Sequence, residues 1–312
     1  MFNSTEQEIQ KRNFRYVQID GIGVSISNVA APFLPVFLTR LGASNFQVAL
    51  LTSMPGVTGL FLAILVGRFL QSRKNIVPWY SLSRLLVISC YALTGVLTFA
   101  LPGEYTVLAT LAIWAFATLP QTALAVAFSV VMNAVAGPEG RYALLSRRWT
   151  IFGLTTVVGT FFVTRTIDLI EFPVNYAVMF LGLSLGGLLS YAFSRKIVLP
   201  DQMRRAAGSS SSSVLDALRN YFSLVRGAPA FTSFALKKFV YYSALMLSQP
   251  IMPLFFVREA HATDSQIGAI AMSMNLVMLI GYSLWTFVSR KYGGRVVLLA
   301  TTGGMILYPA LT

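Results

Sequence analysis

Asp20 is the acid that this sequence places inside an apolar stretch, about one helical turn from the end of that stretch. Asp20, Gly23 and Ser27 share one helical face, with Asn28 alongside, and further polar side chains fall inside apolar runs at Gln121, Gln249 and Asn275. Polar groups are costly in lipid and usually face protein or water, so these residues are candidates to line a cavity, touching either cargo or one another's helices. A carboxylate that is desolvated there can take up and carry a proton. The alternative is a structural pair between Asp20 and a nearby arginine such as Arg84 or Arg148.

Other chemistry is poorly supplied. His261 is the only histidine and Cys90 the only cysteine, which speaks against a metal centre, His-based acid/base work or an intrachain disulfide. Neither a Gly-x-x-x-x-Gly-Lys-Ser/Thr phosphate loop, a Gly-x-Ser-x-Gly elbow nor a His-Glu-x-x-His pair occurs, so no enzyme, cofactor or metal is expected.

The elements that must position these residues are membrane spans. The chain has 312 residues, 55% hydrophobic and only 11% charged, against about 25% charged in soluble domains. Apolar runs of the length a spanning helix needs lie near 17–39, 46–70, 77–100, 105–135, 149–170, 174–194, 230–257, 264–288 and from 296 onward, with a tilt or kink expected at Pro120. All of the Lys and Arg except Arg40, Arg165 and Arg258 fall on one side of these spans. By the excess of positive charge on the cytoplasmic side, that side and the N-terminus are expected in the cytoplasm, most simply across a plasma (inner) membrane. This distribution accounts for the net charge of +13 without nucleic acid.

One stretch occurs twice. Pro32-Phe33-Leu34-Pro35, then Arg40, Gln47, an apolar run and Arg73-Lys74, returns as Pro250-Ile251-Met252-Pro253, Arg258, Gln266, an apolar run and Arg290-Lys291. The offset is 218 residues at the prolines and arginine and 219 at the glutamine, as one inserted residue in the turn would give. A long repeat of apolar spans is the mark of two parallel-related halves. The expected organisation is a six-helix bundle over 1–194, a linker over 195–229 and an incomplete second bundle over 230–312. Within the linker, which includes the serine run Ser209 to Ser213, apolar residues at helical spacing from Val214 to Val225 predict an amphipathic helix on the membrane surface.

The loop after the second span, Gly67-Arg68-Phe69-Leu70-Gln71-Ser72-Arg73-Lys74, resembles the Gly-x-x-x-Asp-Arg-x-Gly-Arg-Arg loop of the major facilitator superfamily. Gly67, Arg73 and Lys74 match, whereas Gln71 and Ser72 replace the Asp and Arg. The second copy keeps Arg290, Lys291, Gly293 and Arg295 of this pattern. Gly137-Pro138-Glu139-Gly140-Arg141 with Arg147-Arg148 is similar to that family's fourth-to-fifth loop; the following helix has Gly153 and Gly159 but lacks the Gly-Pro pair of the drug/proton antiporters.

The resemblance implies an all-α fold of two bundles, with about nine of twelve helices within these residues. It also implies a secondary transporter of a small solute, with a proton as candidate coupling ion and with the loop residues as a gate latch, or, for Arg73, Lys74, Arg290 and Lys291, as plain anchors of topology by positive charge. A non-transporting membrane protein of the same fold, working in sensing, lipid handling or assembly, is the alternative. The partners expected are an unidentified small-molecule substrate and membrane lipids.

Overall fold

The computed structural model describes residues 4–199, 223 and 227–311. Among them the chain is all helix, without a strand. Seven helical segments are long and apolar enough to cross a membrane: Gln7–Arg40, Asn45–Gln71, Val77–Ala100, Gly103–Gly137, Ala143–Leu169, Val174–Ser194 and Asp264–Gly281. By that measure the chain is a multi-pass membrane protein. Large apolar side chains such as Leu60, Phe61, Phe162 and Leu185 stand on the outside, as they do in a protein solvated by lipid.

The elements are α1 (Ser4–Asn28), α2 (Phe33–Arg40), α3 (Asn45–Gln71), α4 (Val77–Ala100), α5 (Gly103–Thr166) and α6 (Val174–Ser194). Then come α7 (Pro229–Ser248), α8 (Ile251–Leu254) with a π turn over Phe255–Glu259, α9 (Asp264–Tyr292) and α10 (Gly294–Leu311). Helices α7 and α10 occupy the two remaining expected positions, outside the seven. The linker helix expected over 195–229 lies almost wholly outside the described residues.

The repeat reappears as local structure. α1 stops at Asn28 and a turn leads through Pro32 into α2; α7 stops at Ser248 and Gln249-Pro250 lead into α8. Each short helix ends near its arginine, and the next long helix opens on a capping box. Ser44 Oγ accepts from the Gln47 N–H at 3.3 Å while the Gln47 side chain accepts from the Ser44 N–H at 2.7 Å. Thr263 and Gln266 do the same at 3.2 and 2.9 Å. Such reciprocal pairs satisfy N–H groups that a helix start leaves open.

α5 runs through both of the spans expected over 105–135 and 149–170; its backbone is helical at Pro120 and breaks between the two spans at Gly137, with φ +68° and ψ 179°. Only glycine visits that conformation without strain, so α5 is two spanning helices joined at a corner.

Within the first copy, α6 is the helix against which α1 and α4 pack, and the contact is backbone-close. A Cβ on Gly23 would come within 2.4 Å of the Gly186 carbonyl oxygen and 2.5 Å of the Ser190 nitrogen; one on Gly95 would meet the Ala177 carbonyl at 2.9 Å. Small residues that let backbones approach are how helices associate in lipid, where apolar burial gives little driving force. Two apolar cores follow. Near α2 lie Phe37, Tyr91, Trp114, Tyr176 and Phe180, with Phe37 stacked on Tyr176 at 5.2 Å. Toward the arginine-rich loops lie Val17, Tyr80, Val131, Met132 and Leu144.

Candidate functional site

Two polar constellations stand out, one at each end of the bundle. The first surrounds Asp20. The glycine face of α1 brings Asp20 against α6, where the Ser190 hydroxyl donates to Asp20 Oδ1 at 2.6 Å. From α4, Arg84 Nε lies 2.9 Å from Oδ1 as an ion pair, and the Tyr80 hydroxyl donates to Oδ2 at 3.3 Å. From α5 beyond the Gly137 corner, Arg148 donates to Oδ2 at 3.0 Å. Arg84 also donates to the Tyr80 hydroxyl, four residues before it on the same face of α4.

Both carboxylate oxygens therefore carry two contacts, which uses the lone-pair capacity of the group. Asp20, Tyr80 and Ser190 are fully buried, and Arg84 and Arg148 keep only 4% and 2% of their surface. One anion faces two cations, and the Arg148 stem packs on Gly21 while its guanidinium lies 4.9 Å from the Phe128 ring centre. A proton arriving at Asp20 would have to displace an arginine or a hydroxyl. The arrangement ties four helices together and leaves no position for a bound solute on the carboxylate.

The second constellation joins the two copies of the repeat. Arg40, at the end of α2, donates from Nε to Asp264 Oδ1 at 2.7 Å and from Nη2 to the Ala262 carbonyl at 2.7 Å. Arg258 donates to the Asn45 side-chain oxygen and to the Ala43 carbonyl. Ala262 and Asp264 follow Ala43 and Asn45 by 219 residues, the offset of Gln47 and Gln266. Each arginine thus binds the matching carbonyl and the matching helix-opening side chain of the opposite copy. The chemistry differs on the two sides: Asp264 is charged, buried, and also accepts from the Tyr176 hydroxyl at 2.6 Å, whereas Asn45 is neutral and exposed.

Behind this clasp runs a seam between α5 and α9. A methyl group on Gly268 would meet Thr164 Oγ1 at 2.4 Å and Phe33 Cζ at 3.2 Å, and one on Gly153 would meet Leu279 Cδ2 at 2.7 Å. The pairs run in opposite sequence order, so the two helices lie antiparallel over eleven residues or so.

The remaining sequence candidates are not brought together. Ser27 donates to the Leu183 carbonyl at 3.1 Å, bonding α1 to α6. Asn28 and Gln249 are exposed, Gln121 is half-buried, and none of these three side chains makes a hydrogen bond among the described residues. Asn275 donates to the Ala271 carbonyl of its own helix at 2.8 Å. Among the described residues no group of three or more His, Cys, Asp or Glu could hold a metal.

In the loop motif, Gly67 is not a close-approach glycine, since a Cβ there meets nothing within 4 Å. Gln71 and Lys74 are exposed at the end of α3, and the Arg73 guanidinium stacks on Phe69 and Trp79, 4.3 and 5.3 Å from their centroids. In the second copy Gly293 ends α9 at φ +84°, Lys291 lies 5.2 Å from the Tyr292 ring, Arg295 is exposed, and the Arg290 side chain lies outside the described ones. Tyr80, Ser190, Arg40, Arg258, Asn45, Asp264 and Tyr176 were not among the sequence candidates. The signal for the arginines was available: they keep register in the repeat while lying on the side nearly free of positive charge.

No protein-family model matches the chain, and no curated protein matches it.

Proposed function

We propose that the protein is a secondary transporter that moves a small solute across the membrane by alternating access, its two halves rocking against each other. The observation that carries this reading is the reciprocal clasp of Arg40 and Arg258. Side chains at the rim of two repeat-related units hold that end shut above an apolar cluster that both copies share. When such contacts part, their donors and acceptors can be taken over by water. Two parallel-related units meeting at an interface are the architecture in which rigid-body rocking opens one end while closing the other. The resemblance of the Gly67–Lys74 loop and its second copy to the major facilitator superfamily points the same way.

On this reading the clasp is the gate on the outer side, and the glycine seam between α5 and α9 is the surface along which the halves move. The Asp20 cluster keeps the first half rigid. A proton is not routed through Asp20, whose oxygens are taken.

The test uses Asn45→Cys with Arg258→Cys in a Cys90→Ala background, purified into liposomes loaded with sugars, organic cations, organic anions and peptides in turn. A short bifunctional thiol reagent across the clasp is expected to stop flux, and cleaving the reagent to restore it. Flux that persists with the clasp cross-linked overturns the gate. Absence of flux for every solute class in the untreated protein overturns transport and leaves the non-transporting reading.

A further inference from the structure

A groove of about 380 Å³ opens on the outside of the bundle between α3, α4 and α5. Its walls are Leu65, Phe69, Trp79, Leu86, Phe116 and Leu119 with their neighbours, almost wholly apolar, and it belongs to neither constellation described above. Three observations say what occupies it. At one end lies positive charge without a carboxylate: Arg73 packs its guanidinium face on Phe69 and Trp79, both wall residues, and forms no ion pair among the described residues, while Lys74 beside it is exposed.

Next, one polar group faces the groove. Ser83 is 93% buried, lines the wall, and makes no hydrogen bond, although Ser89, Thr94 and Thr98 on the same helix each donate to the carbonyl four residues back. The Ser83 hydroxyl, open to the groove and without a partner among the described residues, is set to donate to something that enters. Finally, the order along the groove is polar to apolar. Ser83 lies one helical turn beyond Trp79, roughly 6 Å at 1.5 Å per residue, and Leu86, Phe116 and Leu119 lie beyond it.

That order is cation, hydrogen-bond donor, then hydrocarbon wall. We infer that the groove binds one anionic phospholipid: its phosphate against the free edge of Arg73 and near Lys74, an ester carbonyl accepting from Ser83, and an acyl chain along the apolar wall. An arginine whose face is held by two rings presents its planar N–H edge already oriented, which suits phosphate. Basic groups at the membrane surface attract anionic headgroups, and Trp79 sits where amphipathic rings favour the interface. The inference requires only that the chain spans a membrane and is independent of transport.

Native mass spectrometry of the full chain, released from mild detergent after incubation with phosphatidylglycerol or phosphatidylcholine, tests it. One phosphatidylglycerol is expected to stay bound where phosphatidylcholine does not. Retention should fall about fivefold for each basic side chain removed in Arg73→Gln and Lys74→Gln, and should disappear in Ser83→Trp, which fills the groove. Arg73→Lys controls for folding and should retain lipid. Equal retention of both lipids, retention unchanged in Ser83→Trp, or displacement by millimolar inorganic phosphate alone would each overturn the assignment.

Discussion

The two arginine constellations use the same chemistry to opposite ends. Around Asp20 two guanidinium groups, a phenol and a serine close on one carboxylate inside a single packing unit, and all of them are buried. At the clasp the arginines cross between repeat copies, half their acceptors are backbone carbonyls, and the Arg40 side chain keeps 26% of its surface. A buried ion cluster that loses one member leaves an uncompensated charge in a medium that cannot solvate it. At the clasp Asp264 is buried as well, but the other contacts go to backbone carbonyls and to exposed Asn45, which water can replace when they part. The first constellation therefore fixes structure and the second is the more separable, which is why the proposed gate lies at the clasp.

The largest effect should come from breaking the first. Asp20→Ala leaves Arg84 and Arg148 buried without a counter-ion and should cost roughly 3–5 kcal/mol, the scale for a buried pair stripped of one partner. The readout is a fall in melting temperature of the detergent-solubilised protein followed by size-exclusion chromatography. Replacing Asp20, Arg84 and Arg148 together by Leu, Met and Met should recover most of that loss, because the desolvation cost disappears along with the attraction. A triple variant no more stable than Asp20→Ala would mean that the cluster acts through packing.

Next in size is the glycine contact that brings Asp20 to Ser190. In Gly23→Val the new side chain meets backbone atoms of α6 that cannot rotate away. The expected cost is about 3 kcal/mol, the upper end for overpacking. At Gly67, where nothing lies within 4 Å, the same substitution should change stability by less than about 0.5 kcal/mol. Comparable losses at the two glycines would contradict the assignment of close approach to one and open space to the other.

The contrast between these glycines also marks what the sequence could tell. Apolar run lengths find seven of the nine expected spans, although the first begins at Gln7 rather than near residue 17, and the Pro, Arg and Gln register identifies the repeat before any contact is known. Asp20 could be matched with Arg84 or Arg148 because an acid in a span needs a cation, and both serve. Tyr80 and Ser190 could not be picked out, since nothing local separates a tyrosine or serine that meets Asp20 from one that faces lipid. Gly23 and Gly67 look alike in sequence, each a glycine within an apolar span, and which backbone lies opposite is a tertiary fact. The α5 break was legible as the gap between the apolar runs 105–135 and 149–170, where Gly137-Pro138 disfavours helix.

Within the clasp the two arginines should not weigh equally. Arg40→Ala removes a bond to a buried carboxylate and should cost about 1–2 kcal/mol after screening; Arg258→Ala, facing neutral and exposed Asn45, should cost about 0.5 kcal/mol. A double-mutant cycle of Arg40→Ala with Asp264→Ala should show coupling, whereas Arg40→Ala combined with Asp20→Ala should be additive to about 0.5 kcal/mol. The second expectation follows from distance: some twenty residues of mostly helical chain, roughly 30 Å at 1.5 Å per residue, separate Asp20 from Arg40. Failure of that additivity would mean that the rim and the buried cluster respond as one body.

The smallest and most discriminating change is Asn45→Asp, which gives the first copy the carboxylate that Asp264 gives the second. It should raise stability by about 0.5–1 kcal/mol for two separable reasons, a charge favoured at the start of α3 and an ion pair with Arg258. Repeating the substitution with Arg258→Ala in place isolates them, because the helix contribution persists and the clasp contribution goes. If the clasp is the gate, Asn45→Asp should also slow flux while Asn45→Asp with Arg258→Ala should not, since a ligand or contact shifts a two-state equilibrium only by what it adds to one state. A stability gain of the same size in both backgrounds, with flux unchanged, would assign the gain to the helix start alone and leave the asymmetry of the clasp without a role in opening.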